Sequence, residues 1–446
     1  MESSNKVQKL LSAHYKMIEL SEQYGYKNPR TIDNIDRFAA ALKKRQYSKS
    51  IQRGENKAYC FKILHNESDA NPYRFETSYF VGVDWIVENE LPIYVKPKLD
   101  DDTSEVNYVK MLFNALQEPE NYLHLDQLCE ISFDKPSIAI EQKQDLLTPL
   151  LLIQYINILK RIVQKGLKKS YYSVTKNLNA KVKGKILINE TIKKNHFNNK
   201  MLYSYCQYSE FGINSTENKV LKKALVFSIA AMQNIKGIDI TSIKEFINYI
   251  QAAFINVDSD VNVEDLKSIK PNKLYKEYEQ ALKFAKHILK RFGYNISSAN
   301  SKIVKTPPFW IDMSKLFELF VYSKLKERFN LHKEVTYHKK FNYLEPDFII
   351  KSKDGLTKMI VDAKYKPQYQ YRNIVTDDIR QISGYSRLKR IYEFLEFDDD
   401  KIIDCLVIYS NQTIKRKDFK GDNFKLDEEK EYSKFYKIGI ELPIKT

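Results

Sequence analysis

The stretch Glu345–Lys364, EPDFIIKSKDGLTKMIVDAK, decides how the last third of the chain folds. Two apolar runs, FII at 348–350 and MIV at 359–361, lie on either side of Asp354-Gly355. An Asp-Gly pair between apolar runs is typical of a two-residue hairpin turn, and the apolar residues indicate core strands. The stretch therefore predicts two antiparallel strands, Asp347–Lys351 and Lys358–Lys364.

The register of this hairpin brings three charged residues together. A turn centred on Asp354-Gly355 places Asp347 opposite Asp362, and Lys364, two residues further on, points to the same face as Asp362. Two like charges opposite each other on a sheet are unfavourable, and burying them without compensation costs more. A divalent cation removes the conflict, and oxygen ligands suit magnesium or manganese. The alternative is a solvated hairpin whose Asp and Lys residues form an ordinary surface ion pair.

The elements predicted around the hairpin follow the order α-β-β-β-α-β. Asp312 or Ser314 is expected to cap the first helix and Thr376 the second. The predicted elements are a helix over Ile311–Phe329, strands Val335–Phe341, Asp347–Lys351 and Lys358–Lys364, a helix over Thr376–Phe394 and a strand Ile402–Tyr409.

Pro346-Asp347, followed by Asp362-Ala363-Lys364, resembles the motif of PD-(D/E)xK nucleases, and the α-β-β-β-α-β order matches the fold of that superfamily. The resemblance implies that Asp347, Asp362 and the carbonyl of Ala363 bind Mg²⁺ or Mn²⁺ beside a scissile phosphate. It implies that Lys364 orients the attacking water or helps to deprotonate it, and offsets charge on the phosphate.

Glu318 lies in an otherwise apolar helical stripe, where a solitary Glu is uncommon unless it is paired or bound to a metal. In the superfamily that the motif resembles, a Glu on this helix often completes the metal site. The same resemblance therefore implies a catalytic, metal-binding Glu318. A salt bridge to Lys324 is the alternative.

Gln381 and Tyr385 are four residues apart, so one face of a helix carries both side chains. They match the QxxxY element of RecB-like nucleases. The resemblance implies that they position the catalytic lysine or the DNA backbone.

The wider chain, over roughly residues 80–446, resembles the McrC family, the nuclease subunits that work with an McrB-type AAA+ GTPase to restrict foreign DNA. The matching pieces are LPIYVKPK at 91–98, VKGKI at 182–186 and NSTENKVLK at 214–222. This resemblance implies an NTPase ring as the partner. The chain itself has no GxxxxGK[ST] sequence, so an NTP-driven step must come from that partner.

The charge of the chain favours a polyanionic partner. It has 73 Lys and Arg residues against 57 Asp and Glu, a formal net charge of +16. The surplus is concentrated in residues 151–200, which hold twelve basic residues and one acidic residue. Either this segment is a solvated helix face with a Lys-rich loop, or it contacts DNA phosphates while tyrosines stack on bases. The second interpretation nominates Lys181, Lys183, Lys185, Tyr171 and Tyr172 as double-stranded DNA contacts.

The remaining composition indicates a cytoplasmic protein. The four cysteines form no CxxC pair and the seven histidines show no zinc-like spacing with them, so no structural metal is expected. The N-terminus lacks the apolar core of a signal peptide, and no apolar run is long enough for a membrane span.

We expect an α+β multidomain protein with three domains. Residues 1–140 form an α+β domain that docks to the NTPase partner, residues 141–295 a mostly helical middle domain with an irregular basic segment, and residues 308–446 the nuclease core. Nothing catalytic precedes Leu151, so a fragment of residues 145–446 is expected to keep the metal site. The elements predicted before the nuclease are helices over Val7–Gln23, Ile32–Lys43, Val106–Leu116, Leu146–Leu167, Asn218–Met232, Ser242–Phe254 and Leu274–Phe292, strands over Ala58–Leu64, Phe75–Val83 and Leu91–Lys96, and a linker over Asn295–Pro308.

The sequence thus favours a magnesium-dependent DNA endonuclease subunit of an NTP-dependent, McrBC-like system for restriction and antiviral defence. Two alternatives stay open. One is a stand-alone nuclease of the same fold, in DNA repair or in a modification-paired restriction set. The other is a catalytically idle subunit that binds DNA and serves as a scaffold.

Overall fold

The structure, a computed structural model, describes most of the chain as a mixed α+β architecture with several sheets. The described residues are 17–33, 35–53, 56–69, 72–98, 106–141, 145, 147–233, 241–261, 275–295, 303–329, 334–366, 369, 373–398, 400–411 and 426–444. No helix within these ranges is both long and apolar enough to cross a membrane.

The chain divides into two compact units rather than the three domains expected from the sequence. Unit 1 comprises residues 1–147, 237–239 and 302–446, and unit 2 comprises residues 148–236 and 240–301. The N-terminal and C-terminal parts of the chain therefore belong to the same unit.

The N-terminal part of unit 1 is rich in strands. Its elements are β1 Ile18–Ser21, α1 Asp36–Leu42, β2 Tyr47–Arg53, β3 Asn56–His65, β4 Tyr73–Thr77, β5 Phe80–Val87, β6 Leu91–Lys96, α2 Tyr108–Ala115, a 3-10 helix Pro119–Gln127, β7 Cys129–Ile131 and β8 Ile138–Glu141.

Unit 2 is mostly helical, as expected, but its basic segment is regular. Its elements are α3 Leu147–Lys165, β9 Ser170–Asn179, β10 Lys185–Ile186, α4 Ile188–Lys194, a 3-10 turn His196–Asn198, β11 Tyr203–Gly212, α5 Thr216–Gln233, α6 Thr241–Ala253 and α7 Lys276–Asn295. Strand β9 pairs along its whole length with β11, which explains why the segment is not a loop.

The C-terminal part of unit 1 contains the predicted hairpin. Its elements are β12 Ile303–Thr306, β13 Phe309–Asp312, α8 Met313–Arg328, β14 Val335–Tyr337, β15 Phe348–Lys351, β16 Lys358–Lys364, α9 Thr376–Tyr385, α10 Lys389–Leu395, β17 Asp404–Asn411, β18 Asp427–Glu428 and β19 Phe435–Glu441.

The hairpin register is confirmed, although the turn is longer than predicted. Phe348 pairs with Val361 and Lys351 with Lys358, which continues to Asp347 opposite Asp362. The backbone N–H of Ser352 donates to the carbonyl of Thr357 at 2.9 Å, so the loop has four residues, 353–356, instead of two. The longer loop leaves the predicted register unchanged because it is still centred on Asp354-Gly355.

The sheet that contains the hairpin has the order β14-β15-β16-β17-β19-β18. Strands β14, β15 and β16 are antiparallel, whereas β17 runs parallel to both β16 and β19. Strand β16 therefore has a neighbour on each side, and this interior position buries Asp362.

Several predicted elements are wrong in type or extent. Residues 18–21 form a strand, not part of a helix, because Ile18 and Leu20 are buried and pair with β6 in parallel; residues 7–16 of that predicted helix lie outside the described ranges. The helix predicted over Thr376–Phe394 is two helices, α9 and α10, and Val375 rather than Thr376 is the N-cap. The predicted linker contains β12, which pairs with β8. The predicted strand Phe75–Val83 is likewise divided between β4 and β5.

Strand β13 explains why both ends of the chain belong to unit 1. It lies between β5 and β7, in a sheet of order β1-β6-β5-β13-β7. The indole N–H of Trp310 on β13 donates to Asp84 on β5 at 3.1 Å. Helix α8 follows β13 directly, and its N-cap is Asp312, as predicted, which accepts from the backbone N–H of Lys315 at 2.9 Å.

Candidate metal centre

Asp347 and Asp362 lie side by side because of the hairpin register. Asp347 precedes β15 and its Oδ2 accepts the backbone N–H of Ala363 at 2.8 Å. Asp362 is 1% exposed, so the alternative of a solvated surface ion pair is wrong. Burial raises the pKa of Asp362, and burial together with the charge of Asp362 raises the pKa of Asp347 well above its usual value.

One oxygen of this pair lacks a partner. Asp362 Oδ1 is buried and has no hydrogen-bond donor among the residues that the structure describes. A buried carboxylate oxygen without a hydrogen bond is unfavourable, since nothing compensates for its lost hydration. A bound cation would compensate for that loss, so the pair fits a metal ion.

Lys364 extends from the same strand toward helix α9. Its Nζ lies 2.6 Å from Asp362 Oδ2 and donates to Gln381 Oε1 at 2.9 Å. Gln381 Nε2 in turn donates to the hydroxyl of Tyr385 at 3.1 Å. Gln381 therefore contacts both Lys364 and Tyr385, and Tyr385 reaches Lys364 only through Gln381.

Glu318 faces the carboxylates from helix α8. Its Oε1 accepts from Lys315 Nζ at 2.9 Å and from the Tyr337 hydroxyl at 2.6 Å, and contacts His338 Nε2. Burial raises the pKa of Glu318, but the hydrogen bond from His338 and the charge of Lys315 outweigh it and lower the pKa to about 2. The alternative salt bridge to Lys324 is not formed, because Lys324 pairs with Glu327 at 2.5 Å.

His338 joins this cluster, which the sequence did not predict. Glu318, His338 and Asp347 each offer a ligand atom, and these atoms lie within 4.8 Å of one another. His338 Nδ1 lies 3.0 Å from Glu345 Oε1. In metal sites a histidine ligand is commonly oriented by such a carboxylate on its second nitrogen.

The backbone of His338 explains how it reaches the cluster. Adjacent residues of a regular strand point to opposite faces, yet Tyr337 and His338 both contact Glu318. His338 has φ 47°, in the left-handed region, which breaks the alternation at the end of β14. Its N–H donates to the carbonyl of Asp347 at 3.0 Å, which fixes the two residues next to each other.

Asp378 is a third neighbour of Lys364, and the sequence did not single it out. Its Oδ1 lies 3.9 Å from Lys364 Nζ, while Oδ2 accepts from Lys366 Nζ at 2.6 Å and from the hydroxyl of Tyr369. The first turn of α9 therefore links Lys364 to a further lysine.

The nominated DNA contacts lie in unit 2. Lys181, Lys183 and Lys185 are exposed, and Lys183 Nζ lies 4.0 Å from the ring centroid of Tyr208. Tyr171 is 77% exposed and packs on Phe211, whereas Tyr172 is half-buried. Because Tyr171 and Tyr172 are adjacent on β9, they point to opposite faces and do not form one stacking surface.

Comparisons with known proteins agree with the wider resemblance. The family model described as McrBC 5-methylcytosine restriction system component matches residues 77–394, which confirms the resemblance expected from about residue 80 onward. No curated protein matches the chain. Two similar solved structures are from Thermococcus gammatolerans, both with 14% sequence identity. One is a half-complex from a tetradecameric assembly of McrB AAA+ hexamers with bound McrC, with a TM-score of 0.37 and coverage of 96% of this chain and 94% of that chain. The other is an McrBC complex solved by cryo-EM, with a TM-score of 0.27 and coverage of 72% and 90%.

Proposed function

Because the chain belongs to the McrBC 5-methylcytosine restriction system component family, we propose that it is the DNA-cutting subunit of an McrBC-like restriction system used in antiviral defence. The proposed activity is that of a magnesium-dependent endonuclease of the PD-(D/E)xK type. The observation that carries the proposal is the cluster of Asp347, Asp362 and Lys364, in which Asp362 is buried and its Oδ1 has no hydrogen-bond donor in the described part of the chain.

The residues around this cluster fit a divalent cation. Glu318, Asp347, Asp362 and His338, with the carbonyl of Ala363, would hold it. A donor set of carboxylate and carbonyl oxygens with one imidazole suits magnesium or manganese. When bound, the ion supplies Lewis acidity that polarises the scissile phosphate and makes a nearby water more acidic.

The protein's own residues provide position and charge. Lys364 is a cation held between Asp362 and Gln381, and it offsets negative charge that develops on the phosphate. Tyr385 holds Gln381, which fixes the direction of the lysine side chain. Glu345 orients His338 in the same way from the opposite side.

The family of the chain and the lack of a Walker A motif in its sequence together indicate the partner. A restriction system of this family is driven by nucleotide hydrolysis, yet the chain has no Walker A sequence. We therefore propose an McrB-like AAA+ GTPase ring as the partner, with double-stranded DNA as the substrate. The assignment of residues 1–140 to partner docking stays a prediction from the sequence.

A plasmid cleavage assay tests the proposal. The full chain, an McrB-like AAA+ GTPase, GTP and Mg²⁺ are combined with methylated and unmethylated plasmid. Asp347→Asn is the matched control, since the amide oxygen still accepts the Ala363 N–H while a charged ligand is lost. We expect cleavage by the wild-type chain, none by the variant and none after chelation of the metal.

The same assay separates the alternatives. Cleavage without the NTPase would indicate a stand-alone nuclease. Failure of the wild-type chain to cut either plasmid in the complete mixture, with DNA binding retained, would favour an idle scaffold. Full cleavage by Asp347→Asn would show that this cluster is not the site of metal-dependent cleavage.

A further inference from the structure

A cavity lies close to Lys364, since Asp378, one of its lining residues, is 3.9 Å from Lys364 Nζ. It has a volume of about 490 Å³ and is lined by residues from both parts of unit 1. The N-terminal part contributes Tyr26, Lys27, Tyr79 and Lys98, and the C-terminal part contributes Lys366, Asp377 and Asp378. Three lysines, two tyrosines and two aspartates thus line one small space.

The two N-terminal lysines have no anionic partner at ion-pair distance in the described part of the chain. Lys98 Nζ donates to the neutral oxygens of Gln23 and of the Tyr365 carbonyl, both at 2.9 Å. Lys27 is exposed, and its Nζ lies 5.8 Å from the ring centroid of Tyr26. Burial lowers the pKa of Lys98, which Glu22 partly offsets, and the like charge of Lys366 lowers it further. An anion in the cavity would relieve this repulsion.

The acidic residues at the rim are already paired. Asp378 accepts from Lys366 at 2.6 Å. Asp377 is largely exposed and lies 3.9 Å from Arg380. Neither carboxylate lies within ion-pair distance of Lys27 or Lys98. The ammonium groups of these two lysines are therefore available to a ligand in the cavity.

The cavity is near the candidate centre. Asp378, which lines the cavity, contacts Lys366 and lies 3.9 Å from Lys364, which belongs to the centre. A ligand in the cavity would therefore be separated from Lys364 by the Asp378 side chain. Consecutive phosphates of a DNA strand are the anions that would occupy two such neighbouring sites.

We propose that this cavity binds a phosphate of the DNA strand beside the scissile phosphate, through Tyr26, Lys27, Tyr79, Lys98 and Lys366. The proposal rests on the proposed nuclease function. Ammonium and hydroxyl donors suit phosphate oxygens, and such contacts fix the register of the nucleic acid without reading its sequence. The N-terminal part of unit 1 then positions the substrate.

The test measures DNA binding by the full chain without cleavage. Asp347→Asn is the parent, and fluorescence anisotropy of a labelled duplex is recorded over a range of salt concentrations. Lys27→Gln and Tyr26→Phe change groups at the mouth of the cavity, and Lys27→Gln with Lys98→Met removes two cations. The matched control is Lys110→Gln, an exposed lysine on helix α2 outside the cavity.

We expect the double variant to bind the duplex at least several-fold more weakly. For each phosphate that the variant no longer neutralises, the slope of log affinity against log salt should fall by about 0.9. Lys110→Gln should leave the slope unchanged. If Lys98→Met alters the circular dichroism spectrum, Lys27→Gln and Tyr26→Phe decide the question.

The proposal is wrong if the salt-dependence slopes of the cavity variants equal that of Lys110→Gln. It is also wrong if the parent chain binds no duplex. The proposed function fails by a different result. If the cavity variants lose DNA affinity while the wild-type chain cuts no plasmid with its partner, GTP and Mg²⁺, the phosphate site stands and the nuclease assignment does not.

Discussion

Lys364 is held from three directions, by Asp362, Gln381 and, at 3.9 Å, Asp378. Lys364→Ala should lower the cleavage rate on the order of 10²–10³-fold, the usual cost of removing one preorganised donor. Lys364→Arg should restore little, because a planar guanidinium cannot occupy the same point. Single-turnover cleavage measures the rate, and Lys358→Ala on the same strand is the control. Equal rates for Lys364→Ala and the control would place the essential cation elsewhere.

Lys315 places an ammonium among the proposed metal ligands. It is 7% exposed, and its Nζ lies 2.9 Å from Glu318 Oε1 and 3.2 Å from His338 Nε2. A fixed positive charge at this distance opposes a divalent cation. Lys315→Met should therefore tighten manganese binding by about ten-fold, roughly 1.4 kcal/mol. Calorimetric titration measures it, with Lys324→Met on the same helix as the control. Weaker binding in Lys315→Met would show that the ammonium supports the site instead.

The proximity of the candidate residues could be predicted wherever it depends only on the register of the hairpin. Asp347, Asp362 and Lys364 follow from the centre of one turn, so their proximity could be read from the sequence. His338 could not, because regular alternation sends it away from Tyr337 and only its left-handed backbone brings both to Glu318. His338 also has no cysteine at zinc-like spacing, so a zinc pattern does not indicate it. Its place at the end of β14, nine residues before Asp347, is the signal that could have indicated it.

Whole elements show the same difference between features that local sequence determines and features that distant contacts determine. Strand β16 was predicted with its observed bounds, because a turn and a polar residue delimit a continuous apolar run. The local pattern predicts a helix over the residues of β1, since its partner β6 lies 75 residues further along the chain and nothing local shows the pairing. The break between α9 and α10 was missed because apolar spacing continues across it.

Gly82 permits the strand contact that joins the two parts of unit 1. It has φ 156°, and a Cβ there would lie 2.0 Å from the carbonyl oxygen of Phe309. Gly82→Ala must therefore push β5 away from β13, with an expected loss of about 3 kcal/mol in the free energy of unfolding. Gly384→Ala, where a Cβ meets nothing within 4 Å, is the control and should match the wild type or exceed it by up to about 1 kcal/mol. Urea denaturation measures both. Equal midpoints for Gly82→Ala and wild type would show that the strands separate easily.

At the scale of the molecule, the sequence suggested a separate N-terminal domain because the predicted elements change from mixed helices and strands to mostly helices near residue 145. The structure instead places β13 between β5 and β7. A four-residue strand that closes a sheet some two hundred residues away has no local signal, so this arrangement could not be read from the sequence. These contacts lead us to expect that residues 145–446 do not keep the metal site on their own.

Removing residues 1–144 should unfold the candidate centre rather than isolate it. The fragment loses both neighbours of β13, the acceptor Asp84 of the Trp310 indole, and Asn121, whose amide donates to the carbonyl of Leu319 on α8 at 2.9 Å. Since α8 carries Glu318, the loss reaches the ligands directly.

We expect the fragment of residues 145–446 to melt at lower temperature and without one cooperative transition, and to bind no manganese. Circular dichroism, limited proteolysis and calorimetric titration measure these properties. A fragment of residues 148–301 is the control, because unit 2 is compact by itself and should remain helical and protease-resistant. If the longer fragment instead melts like the full chain and binds manganese with the same affinity, the N-terminal part is dispensable for the centre. The contacts of β13 would then contribute little to its stability.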